Sequence, residues 1–372
     1  MGDLGFKRGC ASNTGAAWPH DVLPVLLAGG KGSRLHELTQ TICKPAVPFL
    51  GTTRIVDFTM ENLRLGGVPE VMVATQYRGK SLHTHLKTRW QESMSVKIRH
   101  APQMMGRAEG SRGTADAVRL LIDEIDSIAP RDVLILAADH VYRMDYRRMI
   151  DAHRATGAAV TVAADCVPRH TASAFGVLET DPFDRIVRFV EKPGNPPSWS
   201  RDPSIALASM GLYVFRWDAL RTLLLENPGA LDFGHDILPA AVSQGRTFAY
   251  APSAHAPLYW RDVGTLDALR AAALDFMSDS PPFALPSPPG ATPRLGIMDS
   301  VIMEGAFVSE GALVSNCIVA PGVTVPFACA IGVDPASDAV RYRRTPLGTI
   351  LVTPGMISAM QPKAARHVSV AM

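Results

Sequence analysis

The chain has 372 residues, 47% of them hydrophobic and 19% charged, with a formal net charge of +2. That is enough chain for a sizeable core and two domains, and a near-neutral balance without a basic run speaks against a nucleic-acid partner. No apolar run approaches the ~20 residues that span a bilayer, so no membrane partner is expected.

Residues 1–20 lack the continuous apolar segment of a secretory signal and are expected to form a disordered tail. From residue 21, short runs rich in Val, Ile and Leu recur as buried-strand candidates at 22–28, 71–75, 133–137, 160–164 and 212–215. Between them lie segments of helical spacing. The clearest is 115–128, with Ala115, Val118, Leu121, Ile122 and Ile125 on one face and Thr114 as its cap. Another starts at Tyr146 and stops at Gly157, a residue suited to a left-handed helix end. This alternation predicts an α/β domain over 21–280 with a mostly parallel sheet, whose ligands sit beyond the carboxyl ends of the strands.

Residues 281–294 contain six prolines and predict a linker or a surface-hugging connection. After it, over 295–372, small or apolar residues recur every six positions at Ile302, Val308, Val314 and Ala320, with Gly305 and Gly311 on the same spacing. That period predicts a short hexapeptide β-helix of about five visible hexads. The competing expectation is a set of short strands packed on the first domain. Cys10, Cys43, Cys166, Cys317 and Cys329 are widely spaced without a CxxC pair, so reduced cytoplasmic thiols are expected rather than zinc or a disulfide framework.

A glycine loop, Ala28-Gly29-Gly30-Lys31-Gly32-Ser33-Arg34, follows the first strand directly. It is not a Walker loop, since Gly32 follows Lys31 and no glycine stands five residues before Gly30. Nor is it a dinucleotide fingerprint, since Leu35 stands where the last glycine belongs. Its physics still suits phosphate, and the competing expectation is a tight glycine turn with two solvated basic residues. Consecutive glycines admit close backbone amides, Lys31 and Arg34 add charge, and a helix start after the loop is expected to add its dipole. Asp139 ends the 133–137 strand, and Asp262 stands in YWRDVGT. Two such carboxylates together with substrate phosphates suffice for Mg²⁺.

In order along the chain stand LAGGKGSRL, KPAVPF, RGTADAV, LAADHVY, SAFGV, FVEKP, ASMGLYVF and YWRDVGT. Together they resemble the bacterial ADP-glucose pyrophosphorylases of the sugar-phosphate nucleotidyltransferase superfamily, over about residues 22–276. LGTILVT near the C-terminus is similar to that family's ending. The resemblance implies a Rossmann-like nucleotidyltransferase domain followed by a short left-handed β-helix. It also implies a cytoplasmic homo-oligomer, dimer or tetramer, that transfers AMP from ATP to glucose 1-phosphate with Mg²⁺, releasing pyrophosphate and making ADP-glucose for glycogen or related glucans.

On the matching positions, Ala28, Gly29, Gly30, Lys31 and Gly32 would wrap the triphosphate, and Arg34 would align the leaving pyrophosphate. Lys44 would neutralise the α-phosphate, while Asp139 and Asp262 hold the metal. Gln76 and Gly113 would line the base. Lys192 would grip the glucose phosphate, with Gly176, Glu191 and Ser209 on the sugar hydroxyls. Asp236 matches as well, without a definite role.

Several positions depart from the family pattern. Thr41 and Ile42 stand where activated members carry basic residues, and Pro48 replaces another polar position. Arg54, Arg341, Arg343 and Arg344 remain as a possible anionic effector site, and activation by fructose 1,6-bisphosphate is not expected. Gly110 and Ser111 replace a Trp-Tyr pair, Ala138 replaces a glycine and is expected to crowd the backbone before Asp139, and His235 replaces a lysine. These changes leave open a catalytically weak subunit of a mixed oligomer, or another nucleotide or sugar phosphate. Joint retention of Arg34, Lys44, Asp139, Lys192 and Asp262 argues for catalysis.

Overall fold

All five apolar runs form strands in the structure, a computed structural model that describes residues 17–105, 110–251, 258–287 and 296–360. The first four strands are β1 (Val22–Ala28), β2 (Glu70–Thr75), β3 (Ser95–His100) and β4 (Asp132–Ala137). They are followed by β5 (His140–Tyr142), β6 (Val160–Pro168), β7 (Gly176–Thr180), β8 (Ile186–Glu191), β9 (Ile205–Arg216), β10 (Thr247–Tyr250) and β11 (Trp260–Asp262). Seven of them lie in the order β10-β6-β9-β4-β1-β2-β3, and β9 alone in that row runs against its neighbours. The sheet is therefore mostly parallel, and β1 and β4 are buried along nearly their whole length, as a sheet covered on both faces requires. The chain leaves β1 towards β2 on one side and reaches β4 on the other, which opens a crevice at their carboxyl ends.

The 115–128 segment keeps its apolar face but is not one helix: Thr114–Arg119 and Ile122–Ile128 are separated by a turn. Thr114 is not its cap either. Its Oγ1 donates to Asp232 Oδ2 at 2.9 Å and accepts from the Phe233 amide at 3.0 Å, so the hydroxyl is committed to another loop. The next helix, Tyr146–Ala155, behaves as its sequence predicts. Asp145 accepts from the Arg147 amide at 3.1 Å, and Gly157 turns out at φ 62°.

Of the expected tail, residues 1–16 lie outside the described residues, but Trp18 is buried, and its indole N–H donates to the Val22 carbonyl at 3.1 Å. An indole offers too much apolar area to remain in a tail once the sheet edge is beside it. The proline-rich stretch hugs the surface where it is described. Phe283 packs edge-on against Phe58, Tyr259 and Phe276, and residues 288–295 lie outside the described residues.

Beyond it the chain winds into parallel coils. Ile297 pairs with Val314, Val301 with Ile318, Phe307 with Thr324 and Leu313 with Ala330, each seventeen positions on. Three full hexads would give eighteen. One side is short because a single left-handed residue makes that corner in each coil, Asp299 at φ 42° and, seventeen positions on, Asn316 at φ 54°. That lost residue explains the ragged later hexads, and Ile302 is only half-buried while Met303 beside it faces inward. The Pro335–Arg341 helix is inserted before Ile350–Val352 closes the last coil against Cys317–Val319. Buried coil residues such as Val319 and Val352 share one apolar cluster with Leu35, Phe49, Val263 and Phe276 of the sheet domain. Among the described residues no helix is long and apolar enough to cross a membrane.

Candidate active site

The crevice holds a cavity of about 520 Å³. Gly29, Gly30, Lys31 and Arg34 of the glycine loop line one end, and Lys44, Asp139 and Asp262 line its middle. Gln76, beside Gly29, and Gly113 border the cavity too, and Gly176, Glu191, Lys192 and Ser209 line its other end. Residues scattered over more than 230 positions thus meet because strands β1, β2, β4 and β9 deliver their flanking loops to one edge.

Ala28 is the buried last residue of β1, one step short of the cavity lining. Gly32 adopts φ 65°, and a Cβ there would lie 2.8 Å from Lys44 Cβ, so glycine is required on both backbone and spatial grounds. The expected helix after the loop is reduced to short 3-10 turns. Ser33–Thr39 is a tight turn that breaks at His36 (φ 52°, ψ −122°), so no helix dipole is available, and loop amides, Lys31, Arg34 and Lys44 are left as the positive groups.

Asp262 reaches the centre through a two-stranded ribbon, β11 against β5, whose register sets Asp262 opposite His140. Lys44, with 4% of its surface exposed, donates to Asp139 Oδ2 at 3.1 Å and to Asp262 Oδ1 at 3.0 Å. Burial by itself would raise the Asp139 carboxyl. The Lys44 ammonium and His140 outweigh it, and the group falls from its ordinary 3.8 to about 2. Burial likewise opposes the charge on Lys44, yet the two carboxylates raise it above its usual range. Arg34 Nη2 stands 3.7 Å from the other Asp262 oxygen, and His140 Nε2 stands 3.7 Å from Asp139 Oδ1. Two hard-oxygen donors converging on one cation fit a divalent ion that completes its shell with phosphates and water, and among the described residues there is no larger cage of ligating side chains.

At the other end Lys192 has positive φ (45°) and an exposed side chain that donates to Glu191 Oε1 at 2.9 Å. Glu191 threads between two glycines. A Cβ on Gly176 would sit 2.8 Å from its Oε2, and one on Gly234 2.5 Å from it. Gly113 is tight for another reason: its Cβ would lie 2.2 Å from the Leu231 carbonyl oxygen.

Sequence reading did not pick out Gly234, Gly264 or His140. Gly264 stands in the YWRDVGT block, and a Cβ there would meet Arg34 Nη2 at 2.5 Å, so the glycine gives Arg34 its path towards Asp262. Asp236, whose role was open, accepts the Leu231 and Asp232 amides at 2.7 and 2.9 Å and shapes the loop that carries Gly234.

The departures are accommodated locally. Ala138 does not crowd the site, because its methyl is buried in the apolar cluster beneath the sheet and its amide donates to the Leu27 carbonyl at 3.2 Å. Ser111 Oγ donates to Gln76 Oε1 at 2.8 Å, and Gln76 Nε2 donates back to the Ser111 carbonyl. His235 is exposed. None of the four arginines of the possible effector site lines the cavity. Arg54 donates to Ser81 Oγ at 2.9 Å, and Arg343 is held by Glu37 at 2.5 and 2.6 Å. Arg341 and Arg344 are exposed.

Comparison with known proteins agrees with this geometry. Residues 23–279 match the nucleotidyl transferase family, and residues 293–352 match the GlmU-like C-terminal hexapeptide family, which gives the coil its left-handed form. A glucose-1-phosphate adenylyltransferase from Jannaschia sp. is 37% identical, covering 89% of this chain and 95% of its own length. Proteins of the same name from Paraburkholderia phytofirmans (38%, 89% and 95%) and Cereibacter sphaeroides (36%, 90% and 95%) are similar over comparable spans. With a cavity of this build and relatives matching about 90% of its length, the chain belongs to the glucose-1-phosphate adenylyltransferase family of nucleotidyl transferases.

Proposed function

We propose that the chain transfers AMP from ATP to glucose 1-phosphate, giving ADP-glucose and pyrophosphate for glycogen or related glucan synthesis. One observation supports the reading: the Lys44–Asp139–Asp262 centre lines a single cavity together with the glycine loop and the Lys192–Glu191 pair. A triphosphate along the loop and a sugar phosphate against Lys192 would bring the two reacting phosphates to that centre. An oxygen of glucose 1-phosphate then attacks the α-phosphorus in line as the bond to the β-phosphate oxygen breaks, and the departing pyrophosphate carries the electron pair away. Catalysis of this kind is positioning and charge neutralisation.

Lys31 and the Gly29–Gly32 amides would cradle the β- and γ-phosphates, with Ala28 setting the loop's start and Arg34 meeting the leaving group. Lys44 would turn part of its charge to the α-phosphate. Asp139 and Asp262 would hold Mg²⁺, which when bound shields the negative charge of the crowded phosphates. Gln76 and Gly113 would border the base; Gly176, Glu191 and Ser209 the sugar. The proposal includes a homo-oligomer, supported by exposed apolar residues on the coil (Phe307, Leu313, Phe327, Val333), and a cytoplasmic location, supported by four free thiols among the described residues.

The test is pyrophosphate release with Mg²⁺, glucose 1-phosphate and each nucleoside triphosphate in turn, with Asp139→Asn as control. Turnover with ATP alone, abolished in the control, is expected. Equal turnover with another nucleotide, or none with any, overturns the reading.

A further inference from the structure

The turn that carries Arg34 does not support itself. Ser33–Thr39 is short, and His36 within it holds φ 52° and ψ −122°, a backbone state that suits glycine and strains a residue with a Cβ. Such a state persists only where surrounding structure over-determines it. Thr39 Oγ1 ties the turn to itself through the Gly32 and His36 carbonyls at 2.9 and 3.2 Å, and Arg78 donates to the Thr39 carbonyl at 3.1 Å.

The remaining supports come from the coil. Leu35 and Leu38 are buried in the cluster shared with Val319 and Val352. Glu37, between them, receives both arms of the Arg343 guanidinium, Nε on Oε2 at 2.6 Å and Nη2 on Oε1 at 2.5 Å, across 306 positions of sequence. Arg343 is itself well founded: Arg343–Arg344 pairs with Ile350–Val352, which in turn pairs with Cys317–Val319 of the coil. The Arg343 hydrogen bonds hold the Glu37 carboxyl below its usual range. A bidentate guanidinium fixes orientation as well as distance, which a lysine at the same place does not.

We propose that Arg343 is a positioning residue for the reaction: by gripping Glu37 from the β-helix, it fixes the strained turn and so aims Arg34 into the triphosphate end of the cavity. This rests on the reading of Arg34 as the group that meets the leaving pyrophosphate. It assigns Arg343 to catalysis through the fold rather than to a free anion site.

The test uses the full-length protein, with kcat and KM measured for ATP and glucose 1-phosphate in synthesis and for pyrophosphate in the reverse reaction. Arg343→Ala is expected to lower kcat about tenfold and raise the pyrophosphate KM, with the glucose 1-phosphate KM unchanged. The thermal midpoint should move by about 2 °C or less, since the pair is half-exposed. Arg343→Lys should recover part of the rate. Glu37→Ala should match Arg343→Ala, and the double variant should be no worse than either. Unchanged kcat in Arg343→Ala, or parallel loss of every kinetic constant and of thermal stability without recovery by Lys, overturns the proposal. Arg34→Ala, run alongside, separates the two readings. Full rate in Arg34→Ala removes the role of Arg34 and this proposal with it, whereas loss there but not in Arg343→Ala removes the proposal alone.

Discussion

Around Lys44 the charges already face one another, with its ammonium held between Asp139 and Asp262, whereas the Lys192 side chain is 61% exposed and donates to its neighbour Glu191. The difference follows from burial. An ammonium withdrawn from water, as that of Lys44 is, needs internal partners, so this centre is assembled before any ligand arrives. An exposed lysine needs none and can wait for the charge of the sugar phosphate. On the proposed reading, the Lys44 centre is organised in advance of substrate, and Lys192 takes its ionic partner from the sugar phosphate.

Substitutions around the two lysines should therefore fail in different ways. Asp139→Asn is expected to lower kcat by about a thousandfold with modest changes in KM, because it strips charge from the reacting centre. Steady-state pyrophosphate release checks this, and a pure KM effect would erase the distinction between the two. Lys192→Ala should raise the glucose 1-phosphate KM by about thirtyfold while the ATP KM stays within about threefold, since a charge-assisted contact to one substrate is lost. Gly234→Ala, whose new Cβ would press on Glu191 Oε2, should follow Lys192→Ala in kind with a smaller rise, about fivefold.

Away from the cavity, Asp165 on β6 offers a control that touches neither end. Burial raises its carboxyl from the ordinary 3.8 to about 6, against the Cys166 amide and Arg261, which lower it. The folded chain thus binds this proton more tightly than the unfolded chain. Stability falls as pH climbs from about 4 to about 6, and the cost is complete above that window. Asp165→Asn keeps an acceptor for the Cys166 amide and should stabilise the protein at pH 7 by at most about 3 kcal/mol, the gain vanishing near pH 4. Denaturant unfolding at the two pH values, with activity unchanged, checks it. The smallest effect expected is that of fructose 1,6-bisphosphate, which should alter the rate by less than about twofold, because Thr41 and Ile42 offer no charge and Arg343 is engaged by Glu37.

Much of the cavity was legible in the chain because its parts are local. A glycine loop after an apolar run and an aspartate just past a strand each carry meaning within a few residues, whereas Lys44 and Lys192, each ahead of a proline, take theirs from the family resemblance. The errors were also local in origin. The helix expected after the loop is broken by the positive-φ backbone of His36, and Thr114 has the residue type of a cap but spends its hydroxyl on Asp232 and Phe233. The tail was drawn too long because the burial of Trp18 depends on partners far along the chain. Gly234 and Gly264 carry no sign of their own, since their constraint is the path of a side chain from elsewhere.

By itself the sequence determined the strand runs, the six-residue period of the coil and the identity of the charged groups, because hydrophobic periodicity and turn chemistry act between near neighbours. Only the tertiary structure decided that Lys44 stands between Asp139 and Asp262, that Glu191 runs through a slot between two glycines, and that Arg343 reaches back to Glu37. Those relations depend on sheet order, on a seventeen-residue coil and on which side chains share a buried space. Contact across hundreds of residues is set by packing, which no short stretch of sequence contains.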